Sequence, residues 1–177
     1  MKGIKKAIIG LVAGIVAIFG VAALAACSDN SNNEGSKPQT VTGEYSYANP
    51  YAPEAAKYGV KVSVTVDDGK ITKVEIVDSE YVQTSDGWKD GEAGKNYLAK
   101  ENEILGRYVG LDVDDVLAMK IATETNGVPV SNNNDGSENP DFDDSTFEVD
   151  GKDLLEDGAT QSCGRLVLAV QDALKKL

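Results

Sequence analysis

Asp157-Gly158-Ala159-Thr160-Gln161-Ser162 is the stretch of this chain best equipped for chemistry. Gly158 allows a close backbone approach that no side chain blocks. Thr160 and Ser162 bring hydroxyls to the start of a helix, where the first N–H groups lack a partner within the helix. Such a start, with its dipole, favours an anion, and phosphate above all. The same residue types also make an ordinary N-capped helix packed on a core, which is the commoner use of them. After the turn, Cys163, Leu166, Val167, Val170, Leu174 and Leu177 recur at three- and four-residue steps, the apolar stripe of a terminal helix.

The rest of the inventory narrows the chemistry. The chain has 177 residues and no histidine, so imidazole catalysis and His-ligated metals are excluded. Its two cysteines are too few for a Cys-rich zinc site or an iron–sulfur cluster. Lys and Arg number 17 against 29 Asp and Glu. Three of the lysines, Lys2, Lys5 and Lys6, stand in the acid-free first six residues, so the remainder holds 14 positive and 29 negative groups, a formal −15. A field of that sign repels nucleic acid and anionic lipid, and neither is expected as a partner.

Residues 1–26 read as an address. A basic start, the apolar run Ala7 to Ala23 and the small residues Leu24-Ala25-Ala26 ahead of Cys27 make a secretory signal peptide. A cysteine immediately after such residues resembles the lipobox of bacterial lipoproteins, which implies cleavage before Cys27, its lipidation and a cell-membrane anchor on the extracytoplasmic face. A plain signal peptide or a single membrane anchor is the alternative, because the run is nearly long enough to span. Residues 27–40, rich in Asn, Ser, Gly and Pro, form a tether with no apolar period. Its dozen polar residues reach roughly 20 Å on average. With Cys27 acylated, Cys163 is the remaining thiol, and its place on the apolar stripe makes it buried and inert.

Residues 41–177 are expected to form one domain. Val41 to Tyr47 alternates as a strand, and Glu54 to Tyr58 suits a single helical turn. Val60-Lys-Val-Ser-Val-Thr-Val66, the turn Asp67-Asp68-Gly69-Lys70 and Ile71 to Val77 form a β-hairpin with the Asp-Gly signal. Lys95 to Tyr108 has a helical period through Tyr97, Leu98, Glu101, Ile104, Leu105 and Tyr108. Asp112 suits the N-cap of a short helix over 113–119, and 120–125 and 146–149 suit strands. Residues 131–145 form an exposed acidic excursion whose spacing fits no EF-hand, so calcium is set aside. The whole is an α+β fold, a small antiparallel sheet built on the hairpin and packed against the C-terminal helix and short helices.

Three segments together resemble the FMN-binding domain family, found in the flavin-carrying subunits of sodium-pumping and Rnf-type redox complexes and as stand-alone exported lipoproteins. They are Gly43-Glu44-Tyr45, the hairpin Ala56 to Val77, and Asp157-Gly-Ala-Thr-Gln-Ser162 with its helix. The last is similar to the family's Ser/Thr-Gly-Ala-Thr-x-Ser/Thr signature, whose threonine many members join to FMN by a phosphoester made by a magnesium-dependent flavin transferase. Carried over, that threonine is Thr160, and Asp157, Gly158, Ala159, Gln161 and Ser162 surround the phosphate. This chain departs from the signature at Asp157, where the family has Ser or Thr, and at Leu154, where the transferase motif prefers Asp; Asp153 stands one residue early.

Given FMN, Arg165 is the nearest cation for the phosphate, and Tyr81 and Trp88 are the expected contacts of the ring. An ordinary solvated arginine and ordinary aromatic packing are the bland alternatives. The resemblance implies an electron carrier between a membrane quinone or redox partner protein and an external acceptor, with no catalytic residue and no bound metal. The acidic surface disfavours added charge on the cofactor and lowers its potential, modestly beyond about 8–10 Å. Two other classes fit the residues: a cofactor-free surface lipoprotein binding a ligand or protein partner, and a flavin-dependent reductase.

Overall fold

The computed structural model describes residues 37–48, 57–80, 92–132, 137–156 and 159–177. These include three long strands, β1 (Gln39–Ala48), β2 (Lys57–Asp67) and β3 (Lys70–Glu80), in one antiparallel sheet of order β1-β2-β3. Helices α1 (Glu92–Gly106), α2 (Val113–Ala118) and α3 (Thr160–Leu174) pack around it. A two-stranded ribbon, β4 (Glu148–Val149) with β5 (Lys152–Asp153), precedes α3. The architecture is the α+β arrangement expected from the sequence.

The hairpin forms because valines occupy alternate places of β2: Val60, Val62, Val64 and Val66 are all buried on one face. The turn uses the left-handed conformations that Asp-Gly tolerates, with φ of 48° at Asp68 and 74° at Gly69. Both strands run longer than their apolar markers. Lys57 and Tyr58 belong to β2, so no helical turn ends at Tyr58. Register shifts between Thr65 and Val66 and between Lys61 and Val62 turn Ile71, Val74 and Ile76 of β3 to the core side and leave Val77 exposed.

Helix α3 lies across the core face of the sheet. Cys163, Leu166, Val167, Val170 and Leu174 are buried as the stripe requires, whereas Leu177 falls beyond the helix and is exposed. Close approach of helix and strand depends on Gly43, and Gly164 gives the same access to Pro129. The C-terminal half of α3 also closes the outer rim of β1. Asp172 Oδ2 accepts from the Glu44 backbone N–H at 2.9 Å, and Lys176 Nζ donates to the Thr42 carbonyl at 2.9 Å. Gln171, buried, donates its amide to the Val116 and Met119 carbonyls and so stops α2.

Some local expectations are corrected. Asp112 stands at the N-cap of α2 but its carboxylate makes no cap bond; it is drawn instead to Lys70 Nζ at 3.0 Å, whose charge competes with the helix N–H groups. Residues 120–125 make no strand: the backbone doubles back at Gly127 and leaves one bridge, Thr123 to Pro129. A 3-10 turn over Asp144–Phe147, started by Asp143 accepting from the Ser145 N–H, takes the first half of the strand expected at 146–149 and shortens it to β4.

Candidate functional site

The segment leading into α3 is fastened before the helix begins. Leu154 is fully buried, and its N–H bonds the Phe147 carbonyl. The exposed Asp153 carboxylate accepts from the Leu155 N–H at 2.7 Å. Arg107, at the end of α1, donates to the carbonyls of Asp153 (3.1 Å) and Leu155 (2.9 Å) and pairs with Glu156 at 2.5 Å. Arg107, and then Lys100, hold the Glu156 carboxyl below its ordinary range. Leu154, where the resemblance would call for an aspartate, is therefore a core residue, while the neighbouring acid, Asp153, faces solvent.

Thr160 opens α3, with Ala159 as the N-cap and no side-chain cap bond. The first bond within the helix is Cys163 N–H to the Ala159 carbonyl at 2.9 Å. The N–H groups of Thr160, Gln161 and Ser162 thus precede the ladder, at the positive end of a 15-residue helix. Ala159, Thr160, Gln161 and Ser162 are all half-buried. The Ser162 hydroxyl is not turned back on the helix: it hydrogen-bonds the hydroxyl of Tyr97 on α1.

Arg165 departs from the sequence expectation. It sits in the second turn of α3, fully buried, and its guanidinium pairs with the equally buried Glu101 of α1. Its charge is balanced inside the protein, and neither a solvated arginine nor a phosphate clamp at the surface describes it. An anion at the α3 start would depend on the backbone N–H groups and the helix dipole.

Two contacts, Tyr97 to Ser162 and Glu101 to Arg165, cross between α1 and α3 one turn apart. They meet because residues four apart on α1 face residues three apart on α3. Beside them, Tyr47 of β1 and Tyr58 of β2 stand opposite in register, ring centroids 5.5 Å apart and tilted by 38°. Burial pushes the Tyr47 phenol up to about 12, opposed by the Arg165 charge. Burial also raises Tyr97, against the pull of Arg165 and the Ser162 bond. The result is a cluster of tyrosines and a buried ion pair at the end of the sheet where β1 leaves and β2 begins.

Sequence reasoning missed Tyr47, Tyr58, Tyr97, Glu101 and Arg107 as neighbours of this site. The signal available was Glu101 itself, an acid on the apolar period of α1. Of the expected site residues, the structure places Ala159, Thr160, Gln161, Ser162 and Arg165 together on the first turns of α3. Asp157, Gly158, Tyr81, Trp88 and Cys27 lie outside the described residues.

Two surface depressions lie elsewhere. One, on the outer sheet face, is lined by Glu44, Ser46, Lys61 and Asp78; the other, between α2 and β4, by Asp115, Lys120, Glu148 and Asp150. Among the described residues no three His, Cys, Asp or Glu side chains converge on a common metal position, and no helix is long and apolar enough to cross a membrane. Cys163 is buried, and burial pushes its thiol up to about 11.

The class defined by fold and site is a three-stranded α+β domain whose terminal helix starts beside a tyrosine of α1. No family model matches the chain, and no curated protein or solved structure matches it either.

Proposed function

We propose that this protein is a membrane-anchored, extracytoplasmic FMN-binding electron-transfer protein, the cofactor's phosphate held at the start of α3 as a phosphoester on Thr160. The observation that carries the reading is that start itself. The residue matching the signature threonine is the first of α3, half-buried, and the N–H groups that follow it come before the first bond of the helix ladder. Anchoring through acylated Cys27 and the tether supplies the setting, a donor in the membrane and an acceptor outside it.

The residues present fit the group. A phosphate would be bound by the N–H groups of Thr160 to Ser162 and by the Ser162 hydroxyl, which Tyr97 orients. Arg165 adds little net attraction because Glu101 neutralises it. That suits a phosphoester, which carries one negative charge fewer than a free phosphate in a chain already strongly acidic. When bound, FMN supplies one- and two-electron chemistry, and the chain's residues hold it and exclude water. Covalent retention suits a protein that cannot draw on a cytosolic pool once exported. Attachment requires the transferase to accept Asp153 and Asp157 in this register.

The test is an intact-mass spectrum of the full chain expressed with a flavin transferase. A gain equal to FMN minus water, lost in Thr160→Ala, is the expected result. A colourless protein of unmodified mass that also takes up no added FMN overturns the reading and leaves a cofactor-free surface lipoprotein.

A further inference from the structure

Resting on the FMN reading above, we infer that the flavin ring packs on a floor of three tyrosines, Tyr58 and Tyr97 presenting their faces and Tyr47 behind them, over the buried Glu101–Arg165 pair. The aromatic side of the site is thus built by the sheet end and α1, and does not depend on Tyr81 or Trp88.

Three observations converge. Tyr97 reaches Ser162, two residues past Thr160, so its ring lies beside the position of the phosphate, within the span of a five-carbon ribityl chain. Tyr47 and Tyr58 form a tilted pair with Tyr47 buried and Tyr58 half-buried, an arrangement that leaves aromatic surface available to a third ring. Beneath them lies an ion pair whose two side chains are 1% and 2% exposed. Apolar side chains of the same bulk would fill that space at little loss of stability. A buried pair retained here gives the floor fixed dipoles with nearly balanced charge, an environment suited to a planar heteroaromatic ring with polar edges.

Tyrosine in contact with a photoexcited flavin quenches its emission by donating an electron, and phenylalanine does not. Tyr58→Phe and Tyr97→Phe keep both rings while removing that quenching. The full chain, loaded with FMN in the presence of the transferase, is followed by flavin fluorescence lifetime, with intact mass reporting cofactor content. The expected result, read on the flavin-loaded fraction that intact mass reports, is a lifetime that lengthens severalfold in each variant and further in the double variant. Tyr45→Phe, whose hydroxyl bonds the Gly127 carbonyl and whose ring is not one of the three, should leave the lifetime unchanged. Full FMN content with an unaltered lifetime in both Tyr58→Phe and Tyr97→Phe overturns the inference while the FMN reading stands. Lengthening in Trp88→Phe alone would move the ring to that side, also against it. If Tyr45→Phe lengthens the lifetime equally, the effect is not one of contact and the inference fails. A chain that takes up no FMN at all ends both.

Discussion

Gly43 of β1 and Ala173 of α3 touch backbone to backbone: a methyl group on Gly43 would lie 2.2 Å from the Ala173 nitrogen, and equally near the Ala169 carbonyl oxygen. Neither atom can swing aside as the tip of a side chain would. Gly43→Ala must therefore push the helix off the sheet, and a loss near or above the upper end of overpacking penalties, about 3 kcal/mol, is expected. Urea unfolding followed by circular dichroism measures it; a loss within about 0.5 kcal/mol, the range of an ordinary surface substitution, would show that strand and helix are not in fixed contact.

The Glu101–Arg165 pair should behave asymmetrically. Glu101→Ala strips the buried guanidinium of that carboxylate and is expected to cost about 3–5 kcal/mol. Glu101→Leu with Arg165→Met replaces both charges by apolar bulk and should restore most of that loss. Thermal unfolding of the single and double variants tests this, and a double variant no more stable than the single one would contradict it.

Cys163 ties stability to alkaline pH. Its thiol rises from an ordinary 9.0 to about 11 through burial, so the folded state holds the proton more tightly than the unfolded chain. The contribution is fully present below pH 9.0 and is lost as pH climbs through about 11. Cys163→Ala should flatten the fall of stability across that window in denaturant titrations. In the folded wild type, thiol reagents at pH 8 should label the site only at the rate of global opening.

Arg107 secures the approach to the candidate site. Arg107→Ala removes its bonds to the Asp153 and Leu155 carbonyls and its pair with Glu156. A stability loss of about 1–3 kcal/mol is expected, since charged hydrogen bonds to half-buried groups are lost. The share of chains carrying FMN should fall more steeply than stability does, because the segment facing the transferase loosens first. Intact-mass ratios beside melting temperatures distinguish the two effects.

Much of the scaffold was legible because single residue types dictate it. Alternating valines set β2, Asp68-Gly69 sets its turn, and three- and four-residue steps set α3. Legibility failed where a distant partner won. Asp112 has the chemistry of a cap, but Lys70, brought alongside by the start of β3, takes its carboxylate. Arg165 looks like surface from its own neighbours, and only the arrival of Glu101 from α1 makes its burial affordable. The tyrosine floor joins residues from β1, β2 and α1, and no local pattern foretells such a meeting. Thr160 could be found from a local motif, since a helix start is written in consecutive residues.

The fastening of β1 by Asp172 and Lys176 has a consequence for behaviour at high local concentration. A bare sheet margin invites neighbouring molecules to zip on, strand by strand, into insoluble stacks. Here the Thr42 carbonyl and the Glu44 N–H are already spoken for. Lys176 holds the Asp172 carboxyl below its ordinary 3.8, so this guard is complete above that value and lapses only as pH drops through the lower folded one. Short of strong acid, crowded molecules meet a margin already closed at its middle.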